Sequence, residues 1–214
     1  MSYRFLACLA LVCICAASPS LAHAQRAIFL LRHGERLEYE TRDGPLSEAG
    51  SARARRLVHL LKDAGVTAIF TSELQRTIQT AQPLATALNI PLTPIGGGGA
   101  EQVRATFARL RNLDSNDVVV IVGHQNTVLM MLKAFANEQE LAAAGQDSIA
   151  IITKLREWER ALWQRYERDS VLAIDRPTGM PGAGSVTIGD HEHDDLFVIV
   201  RGQDRRPTIL RLNY

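Results

Sequence analysis

The chain has 214 residues, with 24 Lys and Arg against 23 Asp and Glu, so its formal net charge is +1 at neutral pH. Such a balanced charge gives no long-range attraction to nucleic acid or to anionic lipid, and we expect neither as a partner. All three cysteines, Cys8, Cys13 and Cys15, lie close to the N-terminus. Cysteine chemistry and disulfides are therefore excluded from the rest of the chain.

The first 24 residues have the layout of a secretory signal peptide. Arg4 precedes an apolar run over residues 5–17, and the small-residue sequence Ala22-His23-Ala24 follows it. A membrane anchor is the alternative, but the run is shorter than the ~20 apolar residues that a membrane span needs. We expect cleavage before Gln25, export to the periplasm and no stable membrane insertion afterwards. Without Arg4 the mature chain, residues 25–214, has 23 basic and 23 acidic residues, so its formal charge is zero.

In chain order, short apolar runs alternate with longer amphipathic stretches. This alternation predicts an α/β fold with three α/β/α layers and a mostly parallel sheet. Near-continuous apolar runs at residues 27–31, 68–71 and 118–122 predict strands buried on both faces. A closing set of strands is predicted at residues 185–188, 196–200 and 208–212.

The first predicted helix covers residues 48–64 and ends before Gly65, a common helix terminator. Its apolar residues at helical spacing predict one buried face, formed by Ala52, Leu57, Leu60 and Leu61.

Charged and polar residues follow each of the first three strands. The first strand runs into Arg32-His33-Gly34, and the third runs into Gly123-His124, with Asn126 or Thr127 as the predicted helix cap. After the second strand, Ser72 and Gln75 predict a capping box, and Arg76 falls in the first turn of that helix. A cation there is unfavourable by about 0.3–1 kcal/mol, which indicates either a solvated side chain or a bound anion. Parallel strands collect ligands at their carboxyl ends, so we expect these side chains to converge on one anion.

Four segments in a fixed order carry a family resemblance: Arg32-His33-Gly34-Glu35, PLSEAG, TSELQRTIQTA and VGHQNT. Together they resemble the histidine phosphatase superfamily, which has the phosphoglycerate-mutase-like fold. The resemblance covers most of residues 27–135, and the segments DDLFVIV and ILRLNY are similar to the closing strands of bacterial members.

The resemblance implies roles for individual residues. His33 would attack phosphorus as a neutral imidazole and form a phosphohistidine intermediate, which water then hydrolyses. Arg32, Arg76 and His124 would surround the phosphoryl oxygens and stabilise their charge, with no metal and no cofactor. The substrate would also be contacted by Gly34, where a glycine leaves room for close approach of backbone, and by Glu35 and Gln125.

The general acid that protonates the leaving oxygen is the least defined role. Members of the family carry a glutamate in a GxWEG-like context after the second arginine, and this chain has the run Ile95-Gly96-Gly97-Gly98-Gly99-Ala100-Glu101 instead. Glu101 is the candidate acid, on a glycine-rich loop able to close over a substrate. Glu35, beside the nucleophile, is a rival. Equally, Glu101 has a simple explanation as a first-turn acid of the next helix.

Two segments lie outside the resemblance. The run DHEHDD, residues 190–195, contains His191 and His193 at a spacing that suits a metal, but a polar turn before a strand explains it more simply. Residues 138–183 form an insertion in which Ile151, Leu155, Trp158, Leu162 and Tyr166 recur at helical spacing. A helix packed on the domain is favoured there over a substrate cap or a dimer contact. Neither the oligomeric state nor the natural substrate follows from the sequence.

The sequence therefore predicts a metal-independent phosphomonoester hydrolase acting on a small phosphorylated substrate outside the cytoplasm. The alternative is a non-catalytic protein of the same fold that binds a phosphate ligand without turnover.

Overall fold

A computed structural model describes residues 27–37, 43–114, 116–143, 148–201 and 207–214. The predicted signal peptide lies outside these described residues. Eight strands are present in them: β1 Ala27–Arg32, β2 Ala68–Ser72, β3 Leu92–Ile95, β4 Val119–Gly123, β5 Ala173–Asp175, β6 Ser185–Thr187, β7 Asp195–Arg201 and β8 Pro207–Asn213. Six helices accompany them: α1 Glu48–Leu61, α2 Gln75–Leu88, α3 Gly99–Arg111, α4 Gln125–Ala136, α5 Glu138–Ala143 and α6 Ser148–Asp169.

Six of the strands form one mixed sheet in the order β3-β2-β4-β1-β7-β8. The first four strands are parallel, and β7 and β8 continue the sheet antiparallel. Helices cover both faces, so the mostly parallel α/β/α fold predicted from the sequence is confirmed. In the register between β1 and β4, Arg32 lies opposite Gly123. The residues that follow these two strands, His33 and His124, therefore leave the sheet side by side.

Two apolar cores lie on the two faces of the sheet. One packs the β1 residues Ile28 and Leu30 against α3, α4 and α6, and the other packs Leu31 against α1 and α2. Because alternate residues of a strand point to opposite faces, the continuous apolar run of β1 supplies both cores.

Helix α6 lies within the insertion and contributes to the first core. Ile151, Leu155, Trp158 and Leu162 are buried there, and α6 contacts α3 and α4. Tyr166, the last residue of the predicted stripe, is instead 37% exposed. Among the described residues, no helix is both long enough and apolar enough to cross a bilayer.

Several predicted boundaries and partners were wrong. Strand β3 was not predicted, because it is short and contains Pro94. The predicted strand at residues 185–188 pairs with β5 in a separate two-stranded sheet and does not close the main one. Helix α1 ends at Leu61, and Leu60 is 51% exposed because the helix packs through Ala54, Leu57 and Leu61.

The predicted helix caps differ as well. Leu74 takes the N-cap position of α2, so Ser72 and Gln75 form no capping box. At α4 the N-cap residue is His124, and Thr127 lies at the third helical position. The Thr127 hydroxyl accepts a hydrogen bond from the His124 backbone N–H at 2.9 Å, which satisfies the group before the helix.

Candidate functional site

Two histidines and an arginine meet at the carboxyl ends of β1, β2 and β4. The rings of His33 and His124 lie with their centroids 5.4 Å apart. Arg76, in the first turn of α2, donates from Nε to His33 Nε2 at 3.1 Å and from one terminal nitrogen to His124 Nδ1 at 3.3 Å. One guanidinium thus links both rings, in the convergence expected from the strand ends.

The hydrogen bonds of His33 define its protonation. Its Nδ1 lies 2.7 Å from the Gly34 carbonyl oxygen, which can only accept, so Nδ1 carries the proton. Nε2 then holds the lone pair that accepts from Arg76. Burial, with a further contribution from the charges of Arg76 and Arg32, lowers the pKa of His33 to about 2. His33 is therefore a neutral imidazole with a nucleophilic Nε2 at any physiological pH.

The second histidine is oriented by a chain of hydroxyl groups. Nε2–H of His124 donates to Ser72 Oγ at 2.9 Å, because Nδ1 is the atom that accepts from Arg76. The Ser72 hydroxyl can donate in turn to Thr77 Oγ1 at 2.8 Å, and the Thr77 hydroxyl donates to the Leu74 carbonyl at 2.8 Å. Burial and the charge of Arg76 lower the pKa of His124 to about 4.

Arg32 lies beside this cluster but is partly engaged elsewhere. One terminal nitrogen donates to the carbonyl oxygens of Gly189 at 2.7 Å and Glu192 at 3.3 Å. Its Nε is buried with no hydrogen-bond partner among the described residues. Burial lowers the pKa of Arg32. Nε is thus a free donor for an anion.

The structure corrects the expected role of Gly34. Its N–H donates to Thr80 Oγ1 at 2.9 Å and is not available to a substrate. A Cβ on Gly34 would lie 3.0 Å from backbone atoms of Gly50 in α1, and a Cβ on Gly50 would lie 2.1 Å from the Glu35 carbonyl oxygen. The glycine therefore allows close approach of α1 to the nucleophile loop rather than of a ligand.

The two candidate acids are both held in ion pairs. Glu35 accepts from Nε and a terminal nitrogen of Arg53. Hydrogen bonding to Arg53 lowers the pKa of Glu35 to about 2, so Glu35 has no proton to donate at neutral pH. The carboxylate of Glu101 bonds Arg104 at 3.0 Å and Arg156 at 3.0 Å. No hydrogen bond in the described part of the chain joins Glu101 to the two histidines.

The side chain of Gln125, at the first position of α4, donates from Nε2 to the Ile188 carbonyl. Its amide N–H is therefore bonded to the segment that precedes β7.

A third histidine lies at the site and was missed by the sequence reasoning. His193, from the run interpreted as a polar turn, is only 7% exposed, and its ring centroid is 5.7 Å from that of His33. Its Nδ1 lies 2.8 Å from the His33 carbonyl oxygen. Within the described ranges, no group of three or more His, Cys, Asp or Glu side chains is placed to hold a metal ion.

Comparison with known sequences matches part of the chain. Residues 28–96 match the model of the histidine phosphatase superfamily, branch 1. The chain is 37% identical over 67 residues to the probable phosphoglycerate mutase GpmB of Proteus mirabilis, and 36% identical over 69 residues to that of Yersinia enterocolitica. These alignments cover 28% and 29% of this chain and 31% and 32% of the relatives. The chain therefore spans about a third of the length of the curated relatives that it matches.

Solved structures share the fold over most of the chain. A candidate alpha-ribazole-5'-P phosphatase from Escherichia coli K-12 superposes with a TM-score of 0.54, at 15% identity, over 88% of this chain and 96% of that one. The protein histidine phosphatase SixA in complex with tungstate superposes with a TM-score of 0.52, at 15% identity, over 87% and 96%. At such low identity these likenesses show the fold alone.

Proposed function

Because residues 28–96 match the model of the histidine phosphatase superfamily, we propose that the chain is a member that hydrolyses phosphomonoesters through a phosphohistidine intermediate on His33. One observation carries this proposal: Nε2 of His33 is an unprotonated nitrogen that faces the Arg76 guanidinium and lies beside His124. A neutral nucleophile ringed by cationic and neutral donors suits attack on a dianionic phosphoryl group.

The reaction takes place in two displacements. Nε2 attacks phosphorus, the N–P bond forms, and the ester P–O bond breaks with the electron pair leaving on the alcohol oxygen. Water then attacks the phosphohistidine and gives a proton to the carboxylate that protonated the alcohol, the N–P bond breaks, and inorganic phosphate leaves while His33 is restored. Arg76 and the unpaired Nε of Arg32 bind the phosphoryl oxygens during both steps. The tungstate in the SixA structure, a tetrahedral oxyanion, is consistent with this assignment.

Protonation of the leaving alcohol is assigned to Glu101 as part of the proposal. Glu101 lies in the first turn of α3, so its carboxylate would have to exchange Arg104 and Arg156 for the substrate without leaving the helix. Glu35 is excluded from this role by its pair with Arg53.

We also propose that the substrate is a small phosphomonoester outside the cytoplasm. The support is the signal-peptide pattern of residues 1–24 alone. Some relatives are named as probable phosphoglycerate mutases, so the substrate tests should include an assay for mutase activity.

The intermediate itself is the decisive test. After brief exposure of the metal-free protein to a phosphomonoester, we expect the peptide containing His33 to gain the mass of one phosphoryl group, in an acid-labile and base-stable form. His33→Ala should abolish both the modification and phosphate release. His59→Ala, which changes an exposed histidine of α1, serves as the matched control and should leave both unchanged.

The alternative function is a phosphate-binding protein without turnover, favoured by the ion pairs that hold Glu101 away from the histidines. Phosphate binding by calorimetry, with no modified peptide at any pH, would support that alternative and overturn the proposed enzyme.

A further inference from the structure

The segment of residues 188–193, which we call the 188–193 turn, contacts three residues of the site. Its carbonyl groups accept from Arg32 and Gln125, and its last residue, His193, donates to the backbone of His33. The segment lies more than 150 residues from β1 in sequence, but it forms a wall of the same site.

The peptide group between His33 and Gly34 is held at both ends. Its carbonyl oxygen accepts from His193 Nδ1 at 2.8 Å, and its N–H donates to Thr80 Oγ1 at 2.9 Å. Because the C=O and N–H of one peptide lie in a single plane, two such bonds on opposite edges fix its rotation. The other backbone groups of His33 and Gly34 are also hydrogen-bonded: the His33 N–H donates to the Gly123 carbonyl, and the Gly34 carbonyl accepts from the His33 ring.

This peptide plane determines where the nucleophile points. Rotation of the plane would move the Gly34 carbonyl that holds Nδ1 of His33, and the ring would lose its alignment with Arg76. Removing the His193 donor would also leave the buried His33 carbonyl without a hydrogen-bond partner, which is unfavourable.

We propose that His193 is a positioning residue for His33, acting by donating Nδ1–H to the His33 carbonyl and so fixing the peptide that orients the nucleophile. The inference rests on the proposed function only in taking His33 as the nucleophile. In this role His193 contacts neither the substrate nor a metal ion.

Three variants separate the donor from the bulk of the ring. His193→Leu keeps an apolar volume and removes the donor, whereas His193→Asn places an amide N–H close to the position of Nδ1. His193→Gln carries the same amide one bond further out. His191→Leu, on an exposed residue of the same turn, is the matched control.

The first measurement is independent of activity. In nitrogen-15 NMR spectra, wild type should show a protected Nδ1–H of His33 and a single tautomer. His193→Leu should lose this protection, and His193→Asn and His191→Leu should keep it. A protected Nδ1–H in His193→Leu would overturn the proposal, and this result stands even if the protein proves to be no enzyme.

The second measurement is the rate at which His33 is phosphorylated in a single turnover. We expect His193→Leu to be slower by roughly tenfold to a hundredfold, because small displacements of a reacting atom have effects of that size. His193→Asn should stay within about threefold of wild type because it restores the hydrogen bond.

The outcomes divide as follows. A folded His193→Leu protein with the wild-type rate, or His193→Asn as slow as His193→Leu, would overturn the positioning role. If His193→Leu does not fold, the same comparison is made between His193→Asn and His193→Gln, and equal rates for these two would count against it. Absence of phosphorylation in wild type would instead overturn the proposed function and leave the NMR result to decide the inference.

Discussion

Arg76 gives each histidine of the site a defined protonation state. As a guanidinium it can only donate, so both nitrogens that it contacts, Nε2 of His33 and Nδ1 of His124, must be acceptors. A phosphoryl group that enters the site offers the guanidinium better acceptors than neutral nitrogens. Arg76 would then turn to the phosphoryl oxygens, and the lone pair of Nε2 would be released at the point where it has to attack phosphorus.

Ser72 maintains the tautomer of His124 from the opposite side. Its buried hydroxyl accepts a hydrogen bond from Nε2–H and can donate one to Thr77 Oγ1. If the tautomer reversed, Nδ1 would direct a proton towards Arg76, and the two donors would repel each other.

We expect Ser72→Ala to lower turnover by about tenfold, equivalent to roughly 1.4 kcal/mol in the barrier, because His124 then samples both tautomers. The tautomer ratio from nitrogen-15 NMR and kcat are the two measurements. Ser51→Ala, on α1, is the control. A single His124 tautomer together with unchanged kcat in Ser72→Ala would contradict the role given to the hydroxyl.

Residues whose environment follows from a strand end could be placed from the sequence. Arg32 is the last residue of β1, His33 and His124 directly follow β1 and β4, and Arg76 lies in the first turn of the helix after β2, so their meeting follows from the geometry of a parallel sheet. Their catalytic roles stay predictions until the intermediate is measured.

Other residues of the site depend on tertiary contacts that the sequence pattern does not report. His193 lies in a run rich in acids, and only the fold shows that its ring turns inwards to the His33 carbonyl. Gly34 was assigned to the substrate because a glycine beside a nucleophile suits close approach. The partner that approaches is the backbone of Gly50, which is 16 positions away in the chain.

At the scale of elements, helix α6 is an integral part of the domain core. Its buried stripe packs on α3 and α4, and Glu159 accepts from the Ala100 N–H at 3.2 Å in the first turn of α3. This carboxylate satisfies one of the unpaired N–H groups of that helix and suits its positive end. The insertion thereby supports the first turn of α3, which carries Glu101.

Two tryptophans on α6 provide a matched test of this packing. Trp158 is 9% exposed, and its ring centroid lies 5.1 Å from Nζ of Lys133. Trp163 is 40% exposed. We expect Trp158→Ala to lower the free energy of unfolding by about 3–5 kcal/mol through the cavity it leaves. Trp163→Ala should cost less than about 1 kcal/mol. Urea unfolding measures both, and equal losses in the two variants would show that α6 is not anchored through Trp158.

The elements that sequence patterns located best are those with long uniform signals. Strands β1, β2 and β4 are continuous apolar runs, whereas β3 has only four residues and contains a proline. The segment at residues 185–188 has strand character, but local pattern does not state which strand is its partner, and it pairs with β5. Local pattern also does not fix the end of a helix. Helix α1 ends at Leu61, although the residues up to Gly65 are compatible with a helix.

At the scale of the whole molecule, the site holds two neutral histidines at the carboxyl ends of the sheet strands. Burial lowers the pKa of His124 to about 4 and that of His33 to about 2, and it also lowers the pKa of His193. In the unfolded chain each of these groups would titrate near 6.5. The arrangement that keeps the nucleophile unprotonated is therefore linked to the stability of the entire domain.

The direction of this linkage follows from proton uptake. Above pH 6.5 the histidines are neutral in both states and contribute no pH dependence. Below pH 6.5 the unfolded chain binds protons that the native state excludes until the pH approaches 4 at His124 and 2 at His33. Because the unfolded state binds more protons in this window, acid favours unfolding.

We expect the free energy of unfolding to fall by at least about 2 kcal/mol between pH 6.5 and pH 4.5, measured by urea unfolding at a series of pH values. Glu35 contributes only at the lower end of this window, because the ordinary pKa of a glutamate is 4.5 and that of Glu35 in the native state is about 2. His124→Asn should flatten the profile, because one of the titrating groups is removed. Parallel profiles for wild type and His124→Asn would show that His124 accepts a proton in the native state, and the neutral ring assigned to the site would then be wrong.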